Sequence, residues 1–80
     1  MELKILGTGC VKCHQLRNNT RRAIEELGIK ADIIEVTDIN KILEYPIMTT
    51  PGLVIDEKVV VAGRVAGSAE IKKLIGEKLS

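Results

Sequence analysis

Two cysteines stand three positions apart near the amino terminus, as Cys10-Val11-Lys12-Cys13, and they are the only two in the chain. One turn of helix brings sulfurs at that spacing within bonding reach. A dithiol that closes to a disulfide and reopens is a two-electron switch. The pair opens a helical pattern, and the unpaired N–H groups at a helix start favour a thiolate. Lys12 adds a cation next door, so Cys10 is expected to ionise below the value of about 8.5 for a free cysteine. Cys13 falls on the inward face of the same helix and is expected to be more buried. Cys10 is then the attacking nucleophile, and Cys13 resolves the mixed disulfide.

The elements that must position this pair are legible on either side of it. Leu3, Ile5 and Leu6 with Lys4 between them read as a short buried strand, broken at Gly7-Thr8-Gly9. From Cys10 to Leu27 the apolar positions Cys13, Leu16, Ala23, Ile24 and Leu27 recur at helical spacing, with Thr20 on the same stripe. Arg17, Asn18, Arg21, Arg22, Glu25 and Glu26 form the opposite face, and Gly28 is the expected stop. Ala31 to Val36 predicts a second strand. Thr37 and Asp38 can cap a short helix to about Glu44, with Ile39, Ile42 and Leu43 inward, ended by Tyr45-Pro46. Gly52 to Ile55 and Val59 to Ala62 predict a β-hairpin about the turn Asp56-Glu57-Lys58. Ser68 can cap a last helix holding Ile71, Leu74, Ile75 and Leu79, weakened at Gly76. The expected order is β-α-β-α-β-β-α, with the first two strands parallel and the last two antiparallel.

Composition narrows the function classes. The 80 residues are expected to form a single domain, 1–80, with a thin core. Hydrophobic residues make up 45% of the chain, too many for a disordered one. Tyr45 is the sole Phe, Trp or Tyr, so the core must be built from Ile, Val, Leu and Ala, and base-stacking modules are disfavoured. Twelve Lys and Arg against eleven Asp and Glu leave a formal charge of +1, too little to attract nucleic acid. The apolar runs fall short of the roughly 18 residues of a membrane span. Met1-Glu2-Leu3-Lys4 does not read as a signal peptide, because the apolar stretch after it is cut short by Gly7. The expected setting is a cytoplasmic monomer, where a lone cysteine pair is more often catalytic or metal-binding than structural.

Strand, Cys10-Val11-Lys12-Cys13, helix, and then Thr49-Thr50-Pro51 just before a later strand together resemble the thioredoxin superfamily. The Gly7-Thr8-Gly9-Cys10 start and the short length are similar to small archaeal and bacterial thioredoxin-like, glutaredoxin-sized redox proteins. The resemblance implies an α/β thioredoxin-like fold, a four-stranded mixed sheet flanked by three helices. It implies a thiol–disulfide oxidoreductase or electron carrier that needs no cofactor beyond the reversible Cys10–Cys13 disulfide. It implies that Pro51 is a cis-proline set against the active-site pair and that Thr50 pairs with substrate backbone. Gly9 stands where thioredoxins carry an aromatic, and Val11-Lys12 replace their Gly-Pro, so Gly9 and Lys12 are the residues expected to modulate the pair. The implied partners are protein disulfides and a flavoprotein reductase of the thioredoxin-reductase type. Glutathione stays open: where glutaredoxins use Gly-Gly and an Asp pair, Ala66-Gly67-Ser68-Ala69-Glu70 keeps one glycine and one acid.

Two other chemistries fit the motif. Two thiolates can hold Cu(I) or Zn, which would make the chain a soft-metal carrier through Cys10 and Cys13. Cys10-Val11-Lys12-Cys13-His14 also matches c-type haem attachment, with His14 and Met48 as axial ligands. Proteins of the haem type resemble all-helical folds, whereas Leu53 to Ala62 reads as a hairpin. Metallochaperones with this motif end on a strand, whereas this chain is expected to end on a helix. His14 follows Cys13 directly and is expected to point to solvent. Val11, Ile47 and Met48 could form an apolar docking rim beside the pair, with core packing of Ile47 and Met48 as the other reading.

Overall fold

Leu3 and Ile5 alternate with Lys4 and Leu6 along a strand, β1 (Glu2–Leu6), and so supply apolar groups to both of its faces. The computed structural model describes residues 1–8, 11–47 and 49–79, without the side chain of Leu79. After β1 come α1 (Val11–Leu27), β2 (Asp32–Val36), α2 (Ile39–Ile42), β3 (Gly52–Ile55), β4 (Lys58–Ala62) and α3 (Ser68–Leu79). The element order is the one expected, and the fold is the α/β thioredoxin-like one. The strands form one mixed sheet in the order β2-β1-β3-β4. β1 runs parallel to β2 and antiparallel to β3, and β3 pairs antiparallel with β4.

The two central strands take the most burial. All four residues of β3 are buried, as a strand covered on both faces must be. On one face Leu3, Ile5, Leu53, Ile55 and Val61 meet Leu16 and Ala23 of α1 and Ile71 and Ile75 of α3. On the other face a smaller cluster of Leu6, Val54 and Ile42 is flanked by Val36, Tyr45, Ile47 and Val59. A bulge in β4 separates the pairs Leu53–Val61 and Val54–Val59, leaving Val60 as the extra residue. That one-residue shift lets Val60 join Val61 on the larger core while Val59 serves the smaller one.

The α1 stripe buries Cys13, Leu16, Thr20 and Ala23, and Thr20 donates its hydroxyl to Leu16 O at 2.7 Å. Ile24 is half-buried, and Leu27, at the last turn, is 37% exposed, because the helix runs past the edge of the core there. Arg17 departs from its expected solvent face: it is half-buried and reaches Glu35 Oε2 at 3.4 Å. Gly28 N–H returns to Ile24 O and Glu25 O, closing the helix where expected.

The second helix differs from expectation. It is a single turn, capped by the Asp38 carboxylate accepting from Asn40 N–H at 2.9 Å. Only Ile42 is buried; Ile39 is 54% and Leu43 68% exposed, although both were expected to face inward. After Leu43 N–H bonds back four residues, Glu44 and Tyr45 bond back only three, so the turn tightens toward Pro46. One turn over a sheet can put one residue beneath it, and the flanking positions fall at the rim. The hairpin turn is also shorter than expected. Asp56 and Glu57 occupy it alone, at φ of 47° and 69°, and Lys58 already pairs with Ile55 in the ladder. At α3 the first helical carbonyl acceptor is Gly67 O, so Ser68 is the first helical residue instead of the cap.

A β-carbon at Gly76, within α3, would meet nothing within 4 Å. Gly76→Ala is therefore expected to stabilise the protein by about 0.5–1 kcal/mol, read as a higher midpoint in thermal unfolding. A variant that melts at or below the parent contradicts this.

Candidate active site

The carboxyl ends of β1 and β2, the start of α1 and the approach to β3 meet at one end of the sheet. Cys13 sits in the first turn of α1, on the core side, and is 6% exposed. Its sulfur lies directly over Gly7, the residue after β1: a β-carbon built on Gly7 would stand 2.2 Å from Cys13 Sγ. Gly7 N–H is held by Val36 O at 3.0 Å, which ties this spot to the end of β2. In the sequence Gly7 stands out as a strand break and as part of the Gly7-Thr8-Gly9-Cys10 start. Its requirement for the absence of a side chain comes from a helix residue six positions on, and local sequence carries no signal of that.

The first turn of α1 is otherwise open. Val11 is 73% exposed, and Lys12 and His14 are exposed. The turn holds no acidic residue, so nothing in it offsets the positive end of the helix. Cys10 and Gly9 lie outside the described residues.

The Thr50–Pro51 peptide bond is cis, and Pro51 is fully buried while Thr49 and Thr50 are exposed. The antiparallel register pairs Leu6 with Gly52. Gly7 and Pro51 are the next residues on either side of that pair, so the Cys13–Gly7 contact and Pro51 lie at the same end of the sheet. Gly63, just past β4, closes the other side: its N–H donates to Pro51 O at 2.8 Å. Gly63 has φ of +75°, and a β-carbon there would lie 2.3 Å from Thr49 Oγ1. It too was missed, since both its conformation and its neighbour are set by the tertiary fold. Beside these residues an apolar groove of about 420 Å³ is lined by Ile39, Ile42, Leu43, Ile47, Thr49 and Thr50. Ile47 serves both readings made of it: it packs against the smaller core and also faces the groove. Met48 lies outside the described residues.

The Ala66–Glu70 stretch is engaged with the protein itself. Ala66 O accepts from Asn19 Nδ2 at 3.0 Å. The Glu70 carboxylate takes both terminal nitrogens of Arg64, and that hydrogen-bonded guanidinium holds its carboxyl below the usual range. For metal, no group of three His, Cys, Asp or Glu that could hold an ion occurs among the described residues. The mixed sheet departs from the all-helical architecture associated with the haem reading. No helix among the described residues is long and apolar enough to cross a membrane.

The Cys13–Gly7 contact generates a test. Gly7→Ala forces the sulfur or the strand end to move and is expected to cost about 1–3 kcal/mol in denaturant unfolding of the reduced protein. Unchanged stability would mean that the close approach is absent in solution.

Comparison with known proteins covers nearly the whole chain. Residues 1–76 match the family model described as thioredoxin domain. A protein of Methanocaldococcus jannaschii named thioredoxin is 45% identical over 71 residues, spanning 89% of this chain and 81% of that protein. A protein of Methanothermobacter thermautotrophicus, also named thioredoxin, is 41% identical over 75 residues, spanning 94% of this chain and 97% of that one. With the same element order and a match of this extent, the chain belongs to the thioredoxin domain family.

Proposed function

We propose that this protein is a dithiol–disulfide oxidoreductase, acting as an electron carrier that reduces disulfides in other proteins. The Cys10 thiolate attacks one sulfur of a substrate disulfide. That bond breaks, a mixed disulfide to Cys10 forms, and the departing sulfur takes up a proton. The Cys13 thiolate then attacks the Cys10 sulfur, closing the Cys10–Cys13 disulfide and releasing the second substrate thiol. Two electrons pass from the protein to its substrate, and each departing substrate sulfur takes up a proton. A flavoprotein reductase of the thioredoxin-reductase type is the proposed source of the electrons that reopen the pair, and the cytoplasm the proposed setting.

The observation that carries this reading is the position of Cys13. Its sulfur is covered and seated against Gly7, and cover of this kind supports the resolving role for Cys13. The likeness to proteins named thioredoxin supports the same chemistry. Thr50, exposed beside Pro51, is the proposed contact to substrate backbone, and the groove from Ile39 to Thr50 the proposed seat for the chain around the substrate cysteine. Gly9, lacking a side chain, is proposed to leave the approach to Cys10 open. Glutathione is a weaker candidate partner, because the one acid in the Ala66–Glu70 stretch is already paired with Arg64.

Assay of the reduced protein with insulin tests this reading, with two protein thiols expected to disappear for each substrate disulfide reduced. Cys13→Ser is expected to stop after the first step and to accumulate a mixed disulfide visible by mass, while Cys10→Ser should form none. Capture of substrate by the Cys10→Ser variant instead would reverse the two roles. Lys12→Glu removes the cation and adds an anion at the helix start, and a thiol titration should show the Cys10 pKa rise. An unmoved titration removes Lys12 from the account.

A further inference from the structure

β1 lies between β2 and β3, and a lysine on such a strand has little access to water. Lys4 points to the face of Leu6 and of its cross-strand partner Val54, and its side chain is only 20% exposed. Its ammonium donates to Tyr45 Oη at 2.9 Å and to the Glu57 carboxylate, and lies 3.4 Å from Glu2 Oε1. It also sits 5.7 Å from the centroid of the Tyr45 ring. Tyr45 Oη in turn reaches the two Glu57 carboxylate oxygens at 3.3 and 3.5 Å. A central strand, the end of the α2 turn and the β3–β4 turn thus converge on one cation. The bond to Glu57, then that to Tyr45, pushes the Lys4 pKa above its usual value, and the bond from Lys4 holds the Glu57 carboxyl below its own. Both groups are charged across the neutral range.

Tyr45 begins the segment that carries Thr49, Thr50 and Pro51. Its carbonyl accepts from Ile47 N–H at 2.8 Å, and its ring packs with Ile47 on the smaller core. The far end is tied by Gly63 N–H to Pro51 O. Between these anchors Thr49 and Thr50 are exposed and line the groove, so their placement follows from the two ends. Stability alone accounts poorly for this cluster, since an ion pair with a carboxylate 66% exposed adds little to it. A network of directed hydrogen bonds instead selects one arrangement among several compact ones.

We infer that Lys4, Tyr45 and Glu57 form a positioning latch that holds Tyr45 and Ile47, and hence Thr50 and the groove, in the arrangement that receives a protein disulfide. This rests on the redox function proposed above. Tyr45→Phe and Lys4→Met are compared with the parent on insulin and on hydroxyethyl disulfide, with dithiothreitol as electron donor. Losing the Tyr45 hydroxyl is expected to raise KM for insulin about five-fold, with kcat within about two-fold of the parent. Rates on the small disulfide, which needs no groove, should stay within about two-fold. Lys4→Met should act in the same direction. Amide exchange at Ile47, Thr49 and Thr50 should quicken while α1 and α3 keep the parent's protection. An active parent whose Tyr45→Phe variant keeps its insulin KM overturns the latch, and so does an equal loss on both disulfides. A parent that reduces neither disulfide overturns the redox function itself, and the docking role of the latch with it.

Discussion

The contact between the Cys13 sulfur and the backbone of Gly7 is the constraint on which the site is built. It fixes the first turn of α1 against the end of β1 at a distance that no side chain at position 7 would permit. Because Gly7 is also bonded to Val36 and follows Leu6, which pairs with Gly52, the same contact locates the sulfur relative to β2 and β3. A buried thiol is costly to ionise. In the role proposed for Cys13, cover of this kind reserves the thiol for the second step of the exchange.

The remainder of the chain supports that end of the sheet with modest means. Two clusters of Ile, Leu, Val and Ala, one on each face, take the place of an aromatic core. β3, buried at every position, is the strand that Pro51 precedes. The charge pairs at the surface, such as Lys72 with Glu26 between α3 and α1, are open to water and add little to stability. The Lys4 cluster differs from them because Tyr45 joins it and it links three parts of the chain. Its place on the α2 side of the sheet puts it beneath the segment leading to Thr50, on the face away from α1 and α3.

Much of the fold was legible because it is written in local periods. Leu16, Thr20 and Ala23 mark one helical stripe, and Gly52 to Ile55 is a short apolar run bounded by turn residues; both became the elements expected of them. What escaped was set by partners distant in sequence. Ile39 and Leu43 carry the right spacing for burial, but a one-turn helix offers too little surface to cover them, and they line a groove instead. Gly7 and Gly63 look like ordinary loop glycines until Cys13 and Thr49 are placed against them. The hairpin turn was legible at Asp56-Glu57-Lys58 but not its length: Asp56 and Glu57 at positive φ make it alone, where glycine or asparagine would have signalled so tight a turn. Of the site, the cysteine motif was plain in the sequence and Thr50-Pro51 came only through a family resemblance. The junction of Lys4 with Tyr45, 41 positions apart, left no local trace.

Equilibrating the protein with dithiothreitol redox buffers and counting free thiols by mass after alkylation tests the central claim most directly. Cys10 and Cys13 should lose their thiols together, in one two-electron transition with a slope near 30 mV per tenfold change in the buffer ratio. Cysteines that alkylate independently, or that form only mixed disulfides with the buffer, would contradict the account.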